Sequence, residues 1–320
     1  MGPTDSIVDV PGVRVGQVEL SAGEVAAATP MTGLSVVVVP GGALGAVDVR
    51  GGAPGTRETD ALGPSAAGER VHAVCIVGRS VFGLAAADGA VAELERRGIG
   101  LRIDLGPAGR LTIPIVAAAV IFDFATGDPT IRPGPAEGAL AVARALDLPP
   151  TRPAAGRAGA GAGAGFGRLG GRWRPGGVGH ASLVVETGTG TLVVGALAVL
   201  NAAGTVVSGG RRSPDRLPDV GTIEGARWNT VPVVVATNAA LSKPELARVA
   251  IMAHDGIARL VRPSHTALDG DTVFALAVPD GPETPAVRVG AWGATRSTVV
   301  GAMAAEAVER ALREAAGGRD

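Results

Sequence analysis

Hydrophobic positions along the chain fall into short β-branched runs separated by Ala-rich segments of helical period. The runs Ser35–Pro40, Val71–Val77, Ala181–Glu186, Leu192–Leu200, Val231–Thr237 and Thr272–Val278 are rich in Val, Leu, Ile and Ala, as expected of buried strands. Helices are predicted over Phe82–Arg97, Ala136–Ala145, Lys243–Val261 and Thr298–Ala315. In the third, Leu246, Val249, Ala250, Ala253, Ile257 and Leu260 share one face at helical spacing. Ser242 can cap it, Pro244 suits its first turn, and Glu245 sits near the positive end of the dipole. Strands alternating with helices indicate an α/β class. Two irregular stretches interrupt the pattern: Asp147–Arg174, which ends in GRAGAGAGAGFGRLGGR, and the polar Ser208–Asn229. Neither reads as a domain boundary, so residues 1–320 are expected to form one domain, with ordered loops of the kind that often carry function.

Composition narrows the partners. The 320 residues are 46% hydrophobic with mean hydropathy +0.32, which excludes disorder despite 50 Gly and 23 Pro. Aromatic residues make up only 2% and Tyr is absent, so the core must be built from small side chains packed closely. With net charge −1 there is neither a phosphate-neutralising surface nor a base-stacking platform, and nucleic acid is set aside. The longest charge-free apolar stretches, Leu111–Phe122 and Thr191–Ala203, fall short of the roughly 18 residues a membrane span requires. They read as buried strands or helices. The start has no basic segment followed by an apolar one, and Cys75 is the single cysteine, inside an apolar run. A buried structural thiol and a cytoplasmic protein are the expectations.

The most visible motif is Gly165-Phe-Gly167-Arg-Leu-Gly170, which satisfies G-x-G-x-x-G. The dinucleotide fingerprint needs a strand before it and a helix after it, yet TRPAAGRA precedes it and Gly170, Gly171 and Pro175 oppose a helix. A tight backbone path is the simpler reading. His72, His180, His254 and His265 show no metal-ligand spacing and read as solvated or supporting groups, and no cofactor is indicated. A quieter constellation lies at three strand ends. Asn201 closes one apolar run, Thr230 opens another after a polar loop, and Asp269-Gly270-Asp271 precedes a third. Each also has a plain structural reading: Asn201 as a turn residue, the Asp-Gly-Asp as a hairpin turn, Thr230 as a β-former.

Six blocks occur in one order across the chain: GGAPGTRETDAL, SVFGLAAADG, IPIVAAAVIFD, the Gly-rich tract, NTVPVVVATNA and MAHDGIARLVRPSHTALDGDTVFALA. Over residues 8–315 they resemble the DmpA-type aminopeptidase family, which includes L-aminopeptidase/D-Ala-esterases, β-peptidyl aminopeptidases and nylon-oligomer hydrolases. The Asn-Thr and Asp-Gly-Asp forms are most similar to the nylon-oligomer hydrolase branch. The resemblance implies an αββα sandwich like that of N-terminal-nucleophile hydrolases, no cofactor, and a homotetramer. It also implies self-cleavage between Asn229 and Thr230 into chains 1–229 and 230–320. Thr230 would then become an N-terminal nucleophile acting on small peptides or similar amides.

By the same resemblance, Asn201 matches the asparagine that donates to the oxyanion, and Asp269 and Asp271 match the acidic pair that orients the amine or hydroxyl. Arg168 stands where relatives carry Lys, in Phe166-Gly167-Arg168 instead of Val-Gly-Lys. Arginine keeps the positive charge but cannot act as a base, so an inherited role would be electrostatic. Three other readings remain: a self-cleaving acyltransferase that passes the acyl group to an amine, a nucleotide-binding protein using the Gly-rich loop, and a relative inactivated by Arg168.

Overall fold

Along the run Pro232–Thr237, Val233 and Val235 join one apolar cluster while Val234 and Ala236 join another. A strand with alternate side chains in two separate cores must lie between two packed layers. The computed structural model describes residues 1–21, 31–66, 70–207, 228–278, 287–290 and 293–317. Its main strands are β1 (Arg14–Leu20), β2 (Thr32–Val49), β3 (Thr56–Arg57), β4 (Val71–Val77), β5 (Val116–Val120), β6 (Val178–Thr187), β7 (Gly190–Val199), β8 (Pro232–Thr237) and β9 (Thr272–Ala277). The helices are α1 (Ala86–Arg96), α2 (Pro135–Asp147), α3 (Lys243–Leu260) and α4 (Gly293–Ala315).

Three apolar clusters define four layers. One lies between α3/α4 and the strands β6, β7, β8 and β9. A second lies between α1/α2 and the strands β1, β2, β4 and β5. The third joins the two strand sets face to face, with Val37, Val74 and Ile76 from one meeting Leu197, Val234 and Phe274 from the other. The architecture is therefore an αββα sandwich, as the family resemblance implied. β2 links the sheets: Leu34–Val38 pairs with β4, the register shifts between Val38 and Ala43, and Leu44–Val49 pairs with β9. Pro40-Gly41-Gly42 sits at that shift, where a missing N–H and missing side chains let the strand turn from one sheet to the other.

Each sheet contains one parallel pair with a helix in the connection. β4 and β5 are parallel and α1 lies between them in the chain; β8 and β9 are parallel and α3 lies between them. Because β7 and β2 run antiparallel to β8 and β9 respectively, their C-terminal ends arrive where β8 and β9 begin. Four strand ends thus converge at one edge. The Asp269–Asp271 segment is consequently no hairpin turn, since the strand after it pairs with β8 in parallel.

Other elements depart from the sequence reading in instructive ways. The apolar stretch Leu111–Phe122 is split at Pro114 into the half-exposed strand Arg110–Ile113 and buried β5. The helix expected from Phe82 starts as a 3-10 segment over Ser80–Ala85. Ser242 occupies the N-cap of α3, and its backbone N–H donates to the Glu245 carboxylate at 2.7 Å. Apart from 228 and 229, the polar loop predicted over Ser208–Asn229 lies outside the described residues.

Candidate active site

At the convergent edge, Asn229 and Thr230 are buried, at 1% and 3% exposure, immediately before β8. The Thr230 N–H donates to the Asn201 carbonyl at 2.7 Å, in the same register as the antiparallel pairing of β7 and β8 and three positions beyond its Ala198–Val233 pair. Its hydroxyl donates to the Asn229 carbonyl oxygen at 2.6 Å. The Asn229 N–H donates to the Leu268 carbonyl at 2.9 Å, and the Gly270 N–H returns to the Asn229 carbonyl at 2.9 Å. The Asn229–Thr230 peptide is therefore clamped between the Asn201 segment and the Asp269–Asp271 segment.

Asn201 is 2% exposed, and its side-chain amide has a defined orientation. The Gly165 N–H donates to Oδ1 at 3.1 Å, so Nδ2 is the donor end; it makes a long contact of 3.4 Å to the Phe122 carbonyl. A carboxamide held this way keeps N–H capacity for an incoming oxygen. Gly165 can approach because it lacks a side chain: a Cβ there would lie 2.2 Å from the Trp173 indole nitrogen. The Gly-rich tract is thus a close-packed backbone path beside Asn201. Gly165–Phe166 is a two-residue strand and Arg168–Gly170 a single 3-10 turn, so the strand–loop–helix context of a dinucleotide fingerprint is not formed.

The two carboxylates differ although both are 1% exposed. Asp269 Oδ1 accepts the Ala203 N–H at 2.9 Å, and Oδ2 accepts the Thr266 N–H at 3.2 Å and the Thr266 hydroxyl. Burial, and secondarily the neighbouring Asp271, push its pKa up to about 6 against the pull of those hydrogen bonds. Asp271 Oδ1 accepts the Val231 N–H at 2.8 Å, next to the Thr230 hydroxyl's own residue. Its Oδ2 accepts from His265, through the backbone N–H at 2.9 Å and Nδ1 at 2.8 Å. Gly270 between them is dictated by proximity, because a Cβ there would sit 2.8 Å from both Thr230 Oγ1 and the Ala53 carbonyl. The block Gly51–Pro54 lies against this segment, with Gly51 and Ala53 N–H groups on the Asp271 and Asp269 carbonyls.

Hydrogen bonds therefore bring together Thr230, Asn229, Asn201, Asp269 and Asp271. Arg168 joins the same edge through its neighbours: the Gly167 N–H donates to the Gly204 carbonyl at 2.8 Å and the Leu169 N–H to the Ala203 carbonyl at 2.9 Å. Two participants were not signalled by the sequence pattern. His265 and Thr266 each bind one of the carboxylates, and only their place in RPSHTALDGD, a few residues ahead of the pair, hints at it. The other histidines are not solvated either, since His72, His180 and His254 are all buried.

A buried hydroxyl, an oriented carboxamide and a carboxylate pair thus sit together at the mouth of an αββα sandwich. The model of peptidase family S58 matches residues 5–316, and the chain belongs to that family of peptide-bond hydrolases. An uncharacterized aminopeptidase of Mycobacterium tuberculosis is 40% identical, with 96% of this chain and 92% of the relative covered. A 6-aminohexanoate-oligomer endohydrolase of Kocuria sp. is 32% identical over 96% of this chain and 85% of its own. Among solved structures, a Burkholderia sp. β-aminopeptidase superposes with TM-score 0.70 at 26% identity, covering 98% of this chain and 86% of the other. The L-aminopeptidase D-Ala-esterase/amidase of Ochrobactrum anthropi, described as a variant of the Ntn hydrolase fold, gives 0.69 at 22% identity over 98% and 86%.

Proposed function

We propose that the chain is a self-cleaving N-terminal-threonine amidohydrolase whose nucleophile is Thr230. The observation that carries this reading is the Thr230 hydroxyl, buried and 2.6 Å from the carbonyl oxygen of the peptide bond that precedes it. Attack of Oγ1 on the Asn229 carbonyl carbon forms a C–O bond and breaks the C–N bond, and the released nitrogen takes up the hydroxyl proton. Water then hydrolyses the ester, leaving an Asn229 carboxylate and a free Thr230 with both amine and hydroxyl.

The mature site follows the same chemistry. A free α-amine has an unperturbed pKa near 8, about right for a base at neutral pH, and it can withdraw the proton of its own hydroxyl. Asn201 Nδ2 is oriented to donate to the oxyanion that develops as a substrate amide is attacked. Asp269, titrating at about 6, is suited to exchange a proton with the amine or leaving group. The substrates are small amides with a free amine, such as short peptides, β-peptides, amino-acid amides or 6-aminohexanoate oligomers, and the names of the relatives support that class. Arg168 is assigned an electrostatic role only.

Assays with an aminoacyl p-nitroanilide, with and without an added amine acceptor, test the reading. Thr230→Ala is expected to lower hydrolysis by at least about 10⁴-fold, the scale of losing a catalytic nucleophile. Predominant transfer to the amine would identify the acyltransferase alternative instead.

A further inference from the structure

His265 lies outside the set of residues the proposed reaction uses directly, yet its geometry is specialised. Its backbone adopts φ +55°, a left-handed conformation that non-glycine residues rarely hold without a compensating contact. The compensation is visible: in this conformation the backbone N–H and Nδ1 of His265 both reach Asp271 Oδ2, at 2.9 and 2.8 Å. Facing a carboxylate oxygen that already takes the backbone N–H, Nδ1 is assigned as the donor nitrogen of the ring. On the far side of the ring, Nε2 is buried with no hydrogen-bond partner among the described residues, and the His254 ring meets it edge-on at 4.8 Å.

We infer that His265 is a positioning residue of the Thr230 reaction: it orients the Asp271 carboxylate and, through it, holds the Val231 amide beside the nucleophile. The inference rests on the reading of Thr230 as nucleophile. Asp271 receives three hydrogen bonds, two from His265 on Oδ2 and one from the Val231 N–H on Oδ1, so both of its oxygens are fixed in place.

The groups around His265 do not compete for this role. His254 is held near pKa 4, chiefly by burial, and so faces His265 as a neutral ring. The His254 Nε2 contacts the Asp48 carbonyl at 3.0 Å and its carboxylate at 3.4 Å, and that carboxylate is bound by Arg50 at 2.6 Å.

The test compares His265→Gly with His265→Asn in the purified protein. Glycine accepts the left-handed backbone but removes the side-chain donor; asparagine tolerates the same backbone and places an N–H near the Nδ1 position. With an aminoacyl p-nitroanilide across pH 5–9, His265→Gly is expected to lose roughly 10- to 100-fold in kcat, the worth of a hydrogen bond to a charged group. KM should stay within about twofold. His265→Asn should recover most of kcat. If the glycine variant does not fold, His265→Gln, whose amide reaches the Nε2 position, replaces it with the same expected loss. Equal kcat in the native protein and both variants, or an equal loss in the glycine and asparagine variants, overturns the inference. Thr230→Ala run in parallel separates the two levels: full activity in that variant defeats the nucleophile reading itself.

Discussion

The parallel pairs β4/β5 and β8/β9 both end in buried polar residues, and the two clusters are built to opposite purposes. Beyond β4 and β5, Arg79 is completely buried with φ +64° and distributes its guanidinium over the carbonyls of Asp123, Thr126, Asp128 and Ile131. Asp123 accepts the Arg79 N–H at 2.8 Å. Every guanidinium contact goes to the 123–131 loop, so the cation is consumed in holding that loop. At the start of β8 and β9 the polar groups are instead bound to one another around a single peptide: a hydroxyl on the Asn229 carbonyl, an amide whose Nδ2 makes only one long contact, and a pair of carboxylates. Burial raises the pKa of Asp123 as it does that of Asp269, so a buried carboxylate with a raised pKa does not by itself mark a site. The clusters touch at one point, where Asn201 Nδ2 meets the Phe122 carbonyl.

The largest effect that separates them is expected at Arg79. Arg79→Met strands the Asp123 carboxylate and frees four carbonyls, and should cost about 3–5 kcal/mol of stability, read by denaturant unfolding. Activity per folded molecule should fall far less than stability does. Asn201→Ala reverses that profile: kcat should drop about 10²–10³-fold while the unfolding free energy changes little by comparison, as for loss of an oxyanion donor. A matched loss of stability and rate in both variants would erase the distinction.

Asp269 gives the smallest and most specific test. Its folded pKa of about 6 lies above the ordinary 3.8, so the folded state binds the extra proton between those values. The stability contributed by that proton is fully present below about pH 4 and is lost as pH rises through about 6. Asp269→Asn, which cannot ionise, removes the loss. Melting curves at pH 4.5 and 7.5 should show a larger fall on the alkaline side for the native protein than for the variant.

How much of this was legible in the sequence can be argued residue by residue. The strands of Val71–Val77 and Val231–Thr237 were visible because burial on both faces demands continuous apolar runs, and the helix at Ser242 because its cap is local chemistry. The sandwich itself, and the roles of Thr230, Asn201, Asp269 and Asp271, came from resemblance to a family. Their convergence depends on strand order, with β7 and β2 antiparallel to β8 and β9, and no local pattern encodes that order. Gly270 looked like a turn residue, whereas a close approach to the Thr230 hydroxyl is what excludes a side chain. His265 was read only as a solvated or supporting group, and Arg79 was not singled out, for one reason: a left-handed backbone and a partner 6 or 44 residues away leave no periodic trace.

Intact mass tests the central claim most directly. The protein purified after expression should appear as two chains, residues 1–229 and 230–320, whose masses sum to the unprocessed chain plus one water. Thr230→Ala should appear as one chain without amide hydrolysis. A single full-length native chain that hydrolyses amides at an undiminished rate, or a Thr230→Ala variant that still divides and turns over substrate, would contradict the account.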